Sequence, residues 1–154
     1  MSLLSLFACG SPKPSFYDQD PVSYEYSYNA TMAYPIKWFS VKAGDDGILL
    51  KYSDGDNEIR VYRAPEDVFA CIGEIVRTTK LYKLQESYRP AMQVLDGYRW
   101  SLEIVYPDDS IYSHGSNARP SSDLREGIKK INEYLESIVE AAGDEGIIAT
   151  ETHR

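Results

Sequence analysis

Residues 94–120, VLDGYRWSLEIVYPDDSIYSHGSNARP, decide the fold. Asp96-Gly97 between apolar runs predicts a tight hairpin, because glycine takes the positive φ angles that a primed turn demands. After it, Trp100, Leu102, Ile104 and Tyr106 fall on one side of a strand and Ser101 and Glu103 on the other. That period of two marks a half-buried sheet. A second hairpin follows, and Gly115–Pro120 then turns the chain into a helix.

On the C-terminal side, Asp123 and Glu126 form an acidic variant of the capping box. Leu124, Ile128, Ile131, Leu135, Ile138 and Val139 recur at helical spacing, so a helix is expected over residues 122–142 with Gly143 as its stop. The segment 144–154 reads as a loosely attached tail. On the N-terminal side, Pro65 at a first helical position, with Glu66 and Asp67 at the positive end of the helix dipole, predicts a helix over residues 65–80. Val68, Cys71, Ile72, Ile75 and Val76 form its apolar stripe.

Upstream of that helix the chain reads as a meander of strands. Val22–Val41 is strand-like throughout, interrupted by Pro35, which cannot donate to a ladder. Gly44-Asp45-Asp46-Gly47 and Asp54-Gly55-Asp56-Asn57 supply the next two turns. The expected fold class is therefore α+β: one domain over residues 1–154, a single antiparallel sheet of about five to seven strands, and two main helices packed against it. Trp100, Leu102, Ile104, Ile128, Ile131 and Leu135 should share its core.

The N-terminal residues 1–21 read as a strand and loop, with Leu3–Ala8 as the strand. The rival reading takes Leu6-Phe7-Ala8-Cys9 as the end of a lipoprotein signal, although no Lys or Arg precedes the apolar run. Cys9 would then be a lipid attachment site. No run approaches the roughly 20 apolar residues of a membrane span. Two cysteines, Cys9 and Cys71, are too few for a disulfide framework.

The net charge is −8, unevenly distributed. Residues 1–59 carry 4 basic and 8 acidic groups, residues 60–100 carry 7 and 5, and residues 101–154 carry 5 and 11. Phosphate-backbone binding needs clustered Lys and Arg, so nucleic acid is not an expected partner.

Chemical motifs are sparse. Ser113-His114-Gly115-Ser116 gathers hydroxyls and an imidazole, yet neighbouring strand residues point to opposite faces, and a nucleophilic pair also needs an orienting carboxylate. Asp54, Asp56 and Glu58 begin like a calcium loop, which fails at Ile59, where glycine is required, and at Pro65, its twelfth position. The two histidines and two cysteines lack zinc spacing. No metal or cofactor is expected. The 13 tyrosines, concentrated in strands, suit a half-buried sheet or a contact surface. Asn29-Ala30-Thr31 matches the short glycosylation sequon.

The run from Leu95 to Pro120, followed by a helix containing Ile131 and Tyr134-Leu135, resembles a group of small uncharacterised bacterial proteins. In these, a Trp-containing strand after Asp-Gly leads to a second strand ending in Gly-x-Asn-x-x-Pro. The matching positions here are Asp96, Gly97, Trp100, Gly115, Asn117 and Pro120, and the likeness is clearest over residues 48–140. It implies a shared fold and carries no catalytic residues.

The leading functional expectation is a non-enzymatic binding or protein-interaction module of the cytoplasm. A cell-envelope lipoprotein anchored through Cys9 is the alternative, and a hydrolase using His114 with Ser113 or Ser116 the third. Where the last strand turns into the second helix, His114, Asn117 and Arg119 are the candidate ligand-binding residues, for a small anion or a partner's carboxylate.

Overall fold

Alternation along the strands and helical spacing along two segments produce one sheet with a helical layer on one face. The computed structural model describes residues 14–30, 33–92 and 97–153. Its strands are β1 (Ser23–Asn29), β2 (Lys37–Gly44), β3 (Gly47–Ser53), β4 (Glu58–Arg63), β5 (Ser87–Tyr88), β6 (Arg99–Val105), β7 (Ser110–Ser116) and β8 (Ile147–Thr152). The described residues also form two α-helices, α1 (Val68–Thr79) and α2 (Ser122–Ala142). The strand order is β5-β7-β6-β1-β2-β3-β4-β8.

The single-sheet α+β layout is the one the sequence predicts, but the sheet is larger and not wholly antiparallel. Its eight strands include β5, which pairs with β7 in parallel. A two-residue strand carries no periodicity to read, and its pairing partner lies beyond another strand of the chain. The other correction is at the C-terminal end. Ile147–Thr152, expected as part of a loose tail, pairs with β4 from Glu58↔Thr152 to Tyr62↔Ile147. The edge of β4 presents unpaired backbone groups, and this segment satisfies them. The expected N-terminal strand Leu3–Ala8 and Cys9 lie outside the described residues.

Four local readings also shift. β6 is flanked by β1 and β7, so it forms no hairpin with a strand before Asp96-Gly97. The strand-like run Val22–Val41 divides into β1 and β2, and Pro35 sits in the connection, where Ile36 N–H donates to Tyr28 O. Helix α1 starts at Val68 rather than Pro65, whose carbonyl accepts the Val68 N–H, and ends at Lys80 in a left-handed conformation, φ 60°. Asp123 lies inside the first turn of α2, which Ser121 precedes as N-cap without a side-chain hydrogen bond.

One core joins sheet and helices. Tyr24, Phe39, Val41, Leu50, Trp100, Leu102 and Ile104 meet Val68, Ile72 and Val76 of α1 and Ile128, Ile131 and Leu135 of α2. Gly127 of α2 brings that helix against the end of α1: a Cβ there would lie 2.6 Å from Thr79 Oγ1 and 2.9 Å from Leu81 Cγ. Cross-strand register puts Glu25, Glu103, Tyr112 and His114 on the opposite face of the sheet, away from α1 and α2.

Candidate functional site

Close packing of α2 against α1 at Gly127 leaves the other flank of α2 standing over the aromatic rows of the sheet. Arg125, Lys129, Asn132 and Glu136 recur at steps of four, three and four along that flank, a spacing that keeps them in one line. Beneath them are Tyr26 and Tyr28 of β1, Lys37 of β2 and Trp100 of β6. Register places Tyr28 between Trp100 and Lys37, giving the floor a continuous row across three strands. The space between is a cleft of about 700 Å³, closed at its β6 end by Arg119 and Pro120. Clefts of this size hold drug-sized molecules on largely apolar walls.

Three cross-ties fix the walls. Tyr24 Oη donates to Asn132 Oδ1 at 2.6 Å, joining β1 to α2. Lys37 Nζ lies 3.4 Å from Asp54 and 3.5 Å from Glu136, and donates to Tyr52 Oη at 3.1 Å. Trp100 Nε1 donates to Ala118 O at 2.8 Å, pinning the loop that leads into α2. Two of these contacts hold α2 one turn apart, and the third holds the loop before it.

Its electrostatics follow from burial. Tyr26 is pushed up to about 12 by desolvation and then by Tyr28, against the opposing pull of Arg119 and Lys37. Its hydroxyl is therefore a neutral donor at all physiological pH. Partial burial works against the charge on Lys37, yet the Tyr52 hydrogen bond and the Glu136 and Asp54 carboxylates outweigh it and hold its pKa above that of an ordinary lysine. Arg119 lays its guanidinium 4.7 Å from the Tyr98 ring centroid.

The candidate residues read from the sequence separate. Arg119 lines the cleft. His114 and Asn117 line a second depression of about 470 Å³ with Ser116 and Arg89. Asn117 also serves the backbone: it has φ 55°, and its Oδ1 accepts the Tyr98 N–H at 3.1 Å while packing against Gly97. Ser113 is fully buried and donates to Gln85 O, whereas His114 on the opposite face lies beside Tyr112, with ring centroids 5.5 Å apart and planes tilted by 45°. The two do not form a nucleophile–base pair. Ser116 shares the His114 face, two residues along. Asp54 is engaged with Lys37, and Asp56 accepts the Glu58 N–H. Among the described residues no group of three His, Cys, Asp or Glu side chains is placed to hold a metal ion.

The Trp, Gly, Asn and Pro positions of the sequence motif have a shared structural basis. Trp100 lies so close over Gly115 that any side chain there would collide with its indole, Asn117 holds Tyr98, and Pro120 is buried. Sequence reasoning missed the wall of α2, since Arg125, Lys129 and Glu136 read as an ordinary solvated helix face. The signal was present in their register one step away from the buried stripe.

No family model matches the chain, and no curated protein is similar to it. Among the described residues no helix is long and apolar enough to cross a membrane.

Proposed function

We propose that the protein is a non-enzymatic binding module and that the cleft between α2 and strands β1, β2 and β6 is its binding site. The observation that carries this reading is the cleft itself: about 700 Å³ over an aromatic floor, with walls held in place by the Tyr24–Asn132, Lys37–Glu136 and Trp100–Ala118 contacts. A preformed site loses little ordering entropy on binding. The residues around it supply apolar contact, hydrogen bonding and charge; they do not form an activated nucleophile with its base.

Ligand-observed NMR with a library of neutral, cationic and anionic aromatic fragments tests this function. Fragments should bind wild-type protein, and Tyr28→Ala, which removes part of the floor, should weaken them about tenfold while circular dichroism confirms folding. A library without a single hit, or hits indifferent to Tyr28→Ala, would exclude the cleft as a binding site.

A further inference from the structure

Sorting the cleft's charges by partner identifies what it takes. At the β2 end, Lys37 is already matched by Asp54 and Glu136. Lys129 reaches Glu133 at 3.8 Å. At the β6 end, Arg119 and Arg125 have no carboxylate within ion-pairing distance among the described residues. In a chain of net charge −8, this end of the aromatic cleft carries two arginines against one carboxylate, Glu126, which is itself in no ion pair among the described residues, so the balance there is locally positive. Arg125 and Glu136 are eleven residues apart on α2, about 16 Å along the axis at roughly 1.5 Å per residue. The two ends of the cleft are thus electrostatically distinct.

Resting on the binding reading above, we infer that the cleft takes a small flat aromatic molecule bearing one carboxylate or phosphate. Its ring lies on Tyr26, Tyr28 and Trp100, and its anionic group meets Arg119 and Arg125. The cation–π contact with Tyr98 orients the Arg119 guanidinium plane, and a planar guanidinium offers paired N–H donors to either anion. The start of α2 adds to this. Ser121 makes no side-chain cap, and Ser122, the first residue of α2, lines the same end of the cleft, where a helix favours negative charge. The matched Lys37–Glu136 end holds no unpaired charge for the ligand, which fixes the orientation.

Isothermal titration calorimetry with naphthoate, naphthyl phosphate, the neutral naphthamide and inorganic phosphate tests the inference. At least one naphthyl anion should bind about tenfold or more tighter than naphthamide, the increment expected of a charge-assisted contact. Which anion is preferred distinguishes carboxylate from phosphate ligands. Arg119→Gln and Arg125→Gln should each remove about tenfold of anion binding and leave naphthamide unchanged, and Lys42→Gln, on the opposite face of the sheet, should alter neither. Equal binding of naphthamide and the anions would overturn the inference while leaving the binding module standing. Inorganic phosphate binding as tightly as naphthyl phosphate would overturn the role of the ring. An absence of binding by all four probes would overturn it as well, and fragment hits of other chemistry would then show that the binding reading alone survives.

Discussion

Tyr24 Oη lies 2.6 Å from Asn132 Oδ1, a hydrogen bond that ties the central strand of the sheet to the middle of α2. Tyr24 is fully buried, and burial raises its pKa well above the usual tyrosine range, so the hydroxyl stays a donor. The height of the helix over the cleft floor depends on this tie. Tyr24→Phe should cost about 1 kcal/mol of stability, read as a fall of about 2–4 °C in Tm for a domain of this size. It should also weaken fragment binding, although Tyr24 is not among the residues that line the cleft. Unchanged affinity would show that α2 keeps its position without the bond.

Asn117 performs two backbone tasks, a left-handed φ of 55° and the hydrogen bond to Tyr98 N–H. Asn117→Ala loses both and should destabilise by about 2 kcal/mol, while Asn117→Gly recovers the conformational part and should cost about half as much. Chemical denaturation of the two variants checks the order; equal losses would mean that the hydrogen bond alone matters.

Gly127→Ala sets helix propensity against packing. Alanine gains up to about 1 kcal/mol in a helix interior, but its Cβ would stand 2.6 Å from Thr79 Oγ1 and 2.9 Å from Leu81 Cγ. Overpacking of this kind costs about 1–3 kcal/mol, so the net effect in urea unfolding should be destabilising. A stabilised variant would mean that α2 shifts away from α1 at little cost.

Alkaline pH should unfold the protein through its tyrosines. Tyr26 and Tyr106 have folded pKa values raised by burial from 10.0 to about 12. A raised folded pKa means that the folded state holds the proton more tightly, so this stability is fully present below pH 10 and is lost as pH rises toward 12. Lys37, also raised, acts in the same direction. Urea midpoints should be level near neutrality and fall above pH 10. Tyr106 Oη is buried with no hydrogen-bond partner among the described residues, so Tyr106→Phe should hold or improve stability at pH 7 and flatten the alkaline decline. A decline as steep as that of wild type would place the titration elsewhere.

Strand β8 offers a contrast between two polar contacts. Ser53 is fully buried, and its Oγ lies 2.8 Å from His153 Nε2; the Lys51–Glu151 pair at 3.0 Å is partly solvated. His153→Ala leaves a buried hydroxyl without its partner and should cost about 1–3 kcal/mol, whereas Glu151→Ala should cost less than about 1 kcal/mol. Denaturation curves with the reverse order would contradict the burial argument.

Turn chemistry and periodicity made much of the fold readable. The Gly44–Gly47 turn closes β2 onto β3, β6 and β7 form the expected hairpin, and Gly143 ends α2 with φ 62°. What escaped is what depends on distant partners. Ser87-Tyr88 becomes a strand only because β7 lies beside it, and Ile147–Thr152 only because β4 offers an edge. Asp96-Gly97 was misleading for the same reason: β6 pairs with the β7 that follows it and with the distant β1, not with a strand just before the turn. For the site, Arg119 was visible as a cation at a helix start, but the cleft needs Tyr26, Tyr28 and Lys37, which no local pattern links to α2.

The strand order also dictates a sequence of events during synthesis. As the chain leaves the ribosome, β1 to β4 can pair at once through short connections, yet β1 keeps one open side until β6 arrives and β4 keeps one until β8 arrives. Open strand sides recruit other strands. The nascent meander is therefore exposed to intermolecular pairing on both flanks, the β4 flank for longer, since α1, three strands and α2 must all be made before β8 closes it.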